Sequence, residues 1–102
     1  MIIHDFDVNT LNEIIKEGDV VIDFYADWCG PCKMLGVELE EFTKENTDVK
    51  IYKINVDNNP EIARNYAVMT IPTLVLYKNG ELVNKHIGYF TCDDFKEWVK
   101  GA

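Results

Sequence analysis

Val20-Val21-Ile22-Asp23-Phe24-Tyr25-Ala26-Asp27-Trp28-Cys29-Gly30-Pro31-Cys32 is the stretch that decides how this chain folds. From Val20 to Ala26 it is apolar on both parities apart from Asp23, the pattern of a central strand covered on both faces. Two cysteines three residues apart follow at once, and a segment of helical periodicity runs on from Lys33 to about Asn46. A helix N-terminus carries partial positive charge and unpaired N–H groups, which favour a thiolate over a thiol. Two thiols at this spacing can close into a small disulfide and open again. The strand-turn-helix setting therefore points to redox exchange rather than to a permanent staple.

Leu35, Leu39 and Phe42 recur at i, i+4 and i+7, with Glu38, Glu41 and Lys44 between them, which is the pattern of an amphipathic helix. Towards the N-terminus, Ile2 to Phe6 reads as a short strand. Leu11, Ile14 and Ile15 share a helical face behind an N-cap near Asn9 or Thr10. Thr10 with Glu13 has capping-box spacing, and Gly18-Asp19 ends that helix. Towards the C-terminus, Val49 to Val56 reads as a strand, and Asn59-Pro60 turns the chain into a helix from Glu61 to about Tyr66. Pro72–Lys78 and Leu82–Ile87 read as strands joined by Asn79-Gly80, a two-residue hairpin signal that makes them antiparallel. Thr91, with Asp94 three residues on, caps a last helix in which Phe95, Trp98 and Val99 share a face.

Strand, helix, strand from Val20 to Val56 implies a right-handed crossover between parallel strands. The expected fold is α/β: a single domain over residues 1–102, with a mixed sheet of about five strands flanked by about four helices on both faces. Cys29 then lies at the carboxyl end of a central strand, where open α/β sheets place their chemistry.

Composition narrows the function. At 102 residues and 47% apolar, the chain supports one modest core. A net charge of −8 argues against binding nucleic acid or an anionic membrane surface, both of which select clustered Lys and Arg. No apolar run approaches the roughly 18 residues of a membrane span. Met1-Ile2-Ile3-His4-Asp5 has no basic segment followed by an apolar one, so the expected compartment is the cytoplasm. Three cysteines are too few, and the wrong parity, for a secreted disulfide scaffold.

Within the pair, Cys29 is the candidate nucleophile, at the first exposed turn with its sulfur facing the following N–H groups. Cys32, one turn further in, suits a resolving thiol. Pro31 has a fixed φ compatible with the first helical turn. Gly30 lets the backbone pass close to a partner disulfide, and Trp28 supplies an apolar rim. A zinc half-site is disfavoured because only Cys92, His4 and His86 remain as ligands, none at finger-like spacing. A c-type haem would need His after Cys32, where Lys33 stands. No metal and no cofactor are expected.

Val21 through Met34, with Lys53-Ile54-Asn55-Val56-Asp57, Ile71-Pro72-Thr73, and Asn79-Gly80 followed by Gly88, resembles the thioredoxin family over almost the whole chain. The Trp-Cys-Gly-Pro-Cys form is specific to its thioredoxin branch. The resemblance implies the thioredoxin fold and a general protein disulfide reductase. Its redox-active disulfide would be Cys29-Cys32, and it would be kept reduced by a thioredoxin reductase and act as a monomer on oxidised proteins with exposed disulfides. It also implies that Asp23 is a buried proton acceptor for Cys32, that Lys53 tunes Asp23, and that Thr70-Ile71-Pro72 forms a cis-proline loop against Cys29. That loop, with Trp28, Gly30, Pro31 and Gly88, would bind substrate. Three positions depart from the pattern: Val37 replaces a common helix proline, Thr70 a common glycine, and Tyr25 a frequent Trp. Cys92 reads as an inert structural cysteine, and His4 and His86 as ordinary strand residues. The rival reading is a redox-inert or metal-binding interaction module of the same fold.

Overall fold

The computed structural model describes residues 1–101. In chain order the elements are β1 (Ile2–Ile3), a 3-10 turn (Val8–Thr10), α1 (Leu11–Ile14), β2 (Asp19–Tyr25), α2 (Gly30–Glu45), β3 (Lys50–Asn55), α3 (Pro60–Asn65), β4 (Thr73–Lys78), β5 (Glu81–Ile87) and α4 (Cys92–Gly101). The five strands form one sheet in the order β1-β3-β2-β4-β5. β3 runs parallel to β1 and β2, β4 antiparallel to β2, and β5 antiparallel to β4.

β2 lies at the centre because its side chains are apolar on both faces. Val21 packs with Leu35, Leu39 and Phe42 of α2 and Phe95 and Val99 of α4. Val20, Ile22 and Phe24 point the other way and pack with Leu11 of α1, with Ile62 and Tyr66 from the α3 region against them. Strand alternation by two divides these sets. Phe42 and Phe95 meet edge to face, with centroids 4.7 Å apart, which locks α4 against α2. Phe95 is fully buried, so truncation to Ala there would cost about 3–5 kcal/mol.

The Asn79-Gly80 hairpin forms as expected. Both residues have positive φ, 50° and 89°, the pair of values that a tight turn between twisted strands requires. Register then shifts past Val83, because Tyr77 faces Leu82 while Leu76 faces Asn84. Thr91 also acts as expected, its hydroxyl accepting the Asp94 N–H at 3.2 Å.

The boundaries differ in several places. β1 stops at Ile3 rather than Phe6, so His4 lies beyond the strand. The Thr10–Glu13 capping box does not form. Asp7 instead accepts the Asn9 N–H at 3.0 Å, and the Thr10 hydroxyl turns back to the Asp7 carbonyl. An extra 3-10 turn thus precedes a one-turn helix. β4 begins at Thr73, because Pro72 has no N–H for a ladder. α2 begins at Gly30, three residues earlier than its periodicity indicated, and runs unbroken through Gly36-Val37.

Candidate active site

Cys29 is the N-cap of α2. Its backbone is extended (φ −86°, ψ 111°), and its sulfur accepts the Cys32 N–H at 3.1 Å. Gly30 and Pro31 fill the first two helical positions, where an N–H has no intrahelical partner and proline costs nothing. One turn of helix brings Cys32 back beside Cys29, and the two are disulfide-bonded with Cα atoms 5.2 Å apart.

The expected contrast between an exposed Cys29 and an interior Cys32 is not found: they are 4% and 3% exposed. A capping side chain folds back over its own helix terminus instead of projecting from it. Here that brings Cys29 into a small apolar cluster with Ala26 and Cys32, covered by Tyr25, Val56 and Ile71. The two sulfurs differ in their neighbours rather than in depth.

Cys29 faces the Ile71-Pro72 loop, whose peptide bond is cis. The Ile71 carbonyl oxygen lies 3.9 Å from the Cys29 sulfur. Two contacts hold the loop: the Gly88 N–H donates to the Pro72 carbonyl at 2.8 Å, and the Thr73 hydroxyl donates to the Thr70 carbonyl. Gly88 has φ +99°, which suits glycine alone. Gly88 and Thr70 therefore support the loop through their backbone groups. An ideal Cβ at Gly30 would meet nothing within 4 Å, so that side of the disulfide is open.

Trp28 is 70% exposed, and its indole N–H donates to Asp57 Oδ2 at 2.9 Å. Beside it a hollow of about 170 Å³ is lined by Val56, Ala63, Val68, Met69 and Ile71. Pairing of Trp28 with Asp57 was not legible, because no local pattern links residues on different loops.

Cys32 faces the other way. It lines two surface hollows together with Lys33 and Lys53. Lys53 is the register neighbour of Asp23 across the parallel β2–β3 pair, and its Nζ lies 3.8 Å from Asp23 Oδ2. Asp23 is 1% exposed, and neither carboxylate oxygen has a hydrogen-bond partner in the protein. Burial pushes its pKa from 3.8 up to about 6, and the Lys53 charge pulls against that shift. The Lys53 ammonium also sits 4.5 Å from the centre of the Tyr25 ring, a contact the sequence did not reveal.

The remaining candidates lie apart. The half-buried Cys92 donates its backbone N–H to Glu38 Oε1 at 2.8 Å. Burial raises its thiol pKa; Lys96 lowers it and Asp93, Glu38 and Glu41 add to the rise, so its helix-terminal position does not yield a thiolate. His86 stacks on Phe90 with centroids 3.7 Å apart and meets Trp98 edge-on, packing far more closely than an ordinary edge-strand residue.

A model of the thioredoxin family matches residues 3–101. A thioredoxin of Rickettsia typhi is 41% identical over 95 residues, which covers 91% of this chain and 90% of that one. One from Bacillus subtilis is 49% identical over 85 residues, 82% of each chain. Among solved structures, the oxidised mitochondrial thioredoxin 3 of Saccharomyces cerevisiae superposes with a TM-score of 0.87 at 36% identity, covering 99% of this chain and 95% of that one.

Proposed function

This chain belongs to the thioredoxin family, and from that premise we propose how its residues divide the work of reducing protein disulfides. The observation that carries the assignment is the Cys29 sulfur, which accepts the Cys32 N–H at a helix N-terminus while lying beside the Ile71 carbonyl. In the reduced protein that N–H would stabilise a Cys29 thiolate. The thiolate attacks one sulfur of a target disulfide. A Cys29–target bond forms, the target S–S bond breaks, and the leaving sulfur carries the electron pair and takes up a proton. Cys32 then loses its proton through water to the Asp23 carboxylate and attacks the Cys29 sulfur. The Cys29–Cys32 bond closes, and the second target thiolate leaves and is protonated. In sum, two electrons pass from the dithiol to the target, with one proton from Cys32 by way of Asp23 and the other from solvent, where Cys29 left its own on ionising.

Asp23 suits the acceptor role because a group poised near pH 6 can both take and return a proton at neutral pH. Lys53 holds it there. The Ile71 and Thr70 backbone would pair with an extended target segment in strand fashion, with Trp28, Gly30 and Pro31 as the facing wall and Gly88 holding the loop. The family's targets are disulfide-bearing proteins, and its members are recycled by a reductase. We infer that here the partner is a thioredoxin reductase, and that residues 1–102 act as a single-domain monomer in the cytoplasm. No helix among the described residues is long and apolar enough to cross a membrane. The test is reduction of insulin disulfides driven by dithiothreitol. Acceleration by the wild-type chain that is lost in Cys29→Ser supports the proposal. No acceleration by the wild-type chain would leave the redox-inert module as the better reading.

A further inference from the structure

Lys53 acts on Asp23 only if its ammonium stays where it is, and the salt bridge alone does not hold it there. At 3.8 Å the pair is too long for a hydrogen bond, and Asp23 is largely unable to reward the contact while it is protonated. The ammonium also has an alternative, because Lys53 lines three neighbouring hollows. Their charged lining comprises His4, Asp5 and Asp7 after β1, Asp27 after β2, and Lys33 and Glu40 on α2. Four carboxylates in that set could draw a flexible lysine outward, yet its side chain is only 12% exposed.

Tyr25 accounts for this. It is two positions beyond Asp23 on β2 and so on the same face of the sheet. Its ring centre lies 4.5 Å from Lys53 Nζ, inside the range of a cation–π contact. On the α2 side stands Gly36, where a Cβ would come to 3.8 Å from the same nitrogen. That is ordinary contact distance, so the helix side neither crowds the ammonium nor holds it. We propose that Tyr25 is a positioning residue: its ring clamps the Lys53 ammonium against Asp23 and so sets the proton affinity of that carboxyl. The consequence for turnover rests on the reading of Asp23 as proton acceptor; the clamp itself does not.

The test reads Asp23 directly, through the pH dependence of its side-chain carboxyl carbon resonance in the oxidised protein. Tyr25→Phe should titrate like wild type, since the ring face is kept. Tyr25→Ile should shift the midpoint upward, in the same direction as Lys53→Met but by less. The double variant should match Lys53→Met alone, because Tyr25 acts only through the lysine. Fluorinated phenylalanines at position 25 keep the shape while weakening the ring's negative face, and should raise the midpoint stepwise with fluorine count. This series decides the matter even if Tyr25→Ile fails to fold. An unchanged midpoint across the fluorinated series, or additive shifts in the double variant, would overturn the clamp. Insulin reduction by Asp23→Asn at the wild-type rate would instead remove the acceptor role and leave the clamp standing.

Discussion

Lys53 Nζ lies 3.8 Å from Asp23 Oδ2, and the carboxyl still titrates near 6 rather than below 3.8. Desolvation wins over attraction because Asp23 is almost wholly removed from water while Lys53 keeps some contact with it. An ion pair of this kind penalises the native state at neutral pH instead of stabilising it.

Asp23→Asn should therefore strengthen the fold while slowing turnover. The carboxyl is raised in the native state, so its stability contribution is full below about pH 3.8, falls as pH climbs to about 6, and stays level above. The rise from 3.8 to about 6 corresponds to on the order of 3 kcal/mol at pH 8. Paired urea unfolding of oxidised wild type and Asp23→Asn should show a gain approaching this at pH 8 and little at pH 4. Equal stabilities at pH 8 would mean that Asp23 is solvated or well paired.

His86 should give the opposite pH dependence. Burial against Phe90 and Trp98 lowers its pKa from 6.5, and the Gly88 and Tyr89 carbonyls and Asp94 offset this only in part. Neutral imidazole is favoured in the native state, so its contribution is full above pH 6.5 and is lost as pH falls through the lowered value. An Asp23→Asn background isolates the effect: there, His86→Phe should flatten the stability profile between pH 7 and pH 5. A profile unchanged by that substitution would rule out His86 as its source.

Glu38 ties α2 to the N-terminus of α4 by accepting the Cys92 N–H at 2.8 Å. Glu38→Ala should cost about 1 kcal/mol and speed amide exchange in the first turn of α4. Glu38→Gln, which keeps an acceptor oxygen, should recover most of that loss. Equal losses for Ala and Gln would point to packing rather than to the hydrogen bond.

Asn79 does more than shape the hairpin. It joins the turn to Gly18 through two bonds, Gly18 N–H to Asn79 Oδ1 at 2.9 Å and Asn79 N–H to the Gly18 carbonyl at 3.0 Å. Gly80→Ala should cost about 1–2 kcal/mol, since φ is +89° there. Asn79→Gly keeps the turn but loses the side-chain bond, and should cost about 1 kcal/mol by thermal unfolding. No loss in Asn79→Gly would show that the backbone bond alone holds Gly18.

Limiting iodoacetamide should label Cys29 first in the reduced protein near neutral pH, because that sulfur receives the helix N–H. Cys32→Ser should then accumulate a mixed disulfide with target proteins that dithiothreitol releases. Peptide mapping that finds Cys92 or Cys32 labelled first would reverse the assignment.

The local period of the chain was enough for the architecture. Val20–Ala26 could only be a doubly covered strand, Leu35, Leu39 and Phe42 only one helical face, and Asn79-Gly80 only a tight hairpin. Each follows from backbone geometry within a few residues. The cysteine pair with its Gly-Pro spacer was legible for the same reason. The first 18 residues departed most from their pattern, because Asp7 and Thr10 are rival caps for successive turns, and Asp7 takes the Asn9 N–H while the Thr10 hydroxyl turns back to the Asp7 carbonyl. Tertiary structure alone decided the depth of Cys29, the bond from Trp28 to Asp57, and the three-way meeting of Asp23, Lys53 and Tyr25. Those depend on strand register and on which loops converge at the carboxyl end of β2. Register pairs residues 30 apart, and burial depends on everything packed around a side chain. A sequence can name a buried acid and a lysine, but only the folded sheet sets them 3.8 Å apart with an aromatic ring beside the ammonium.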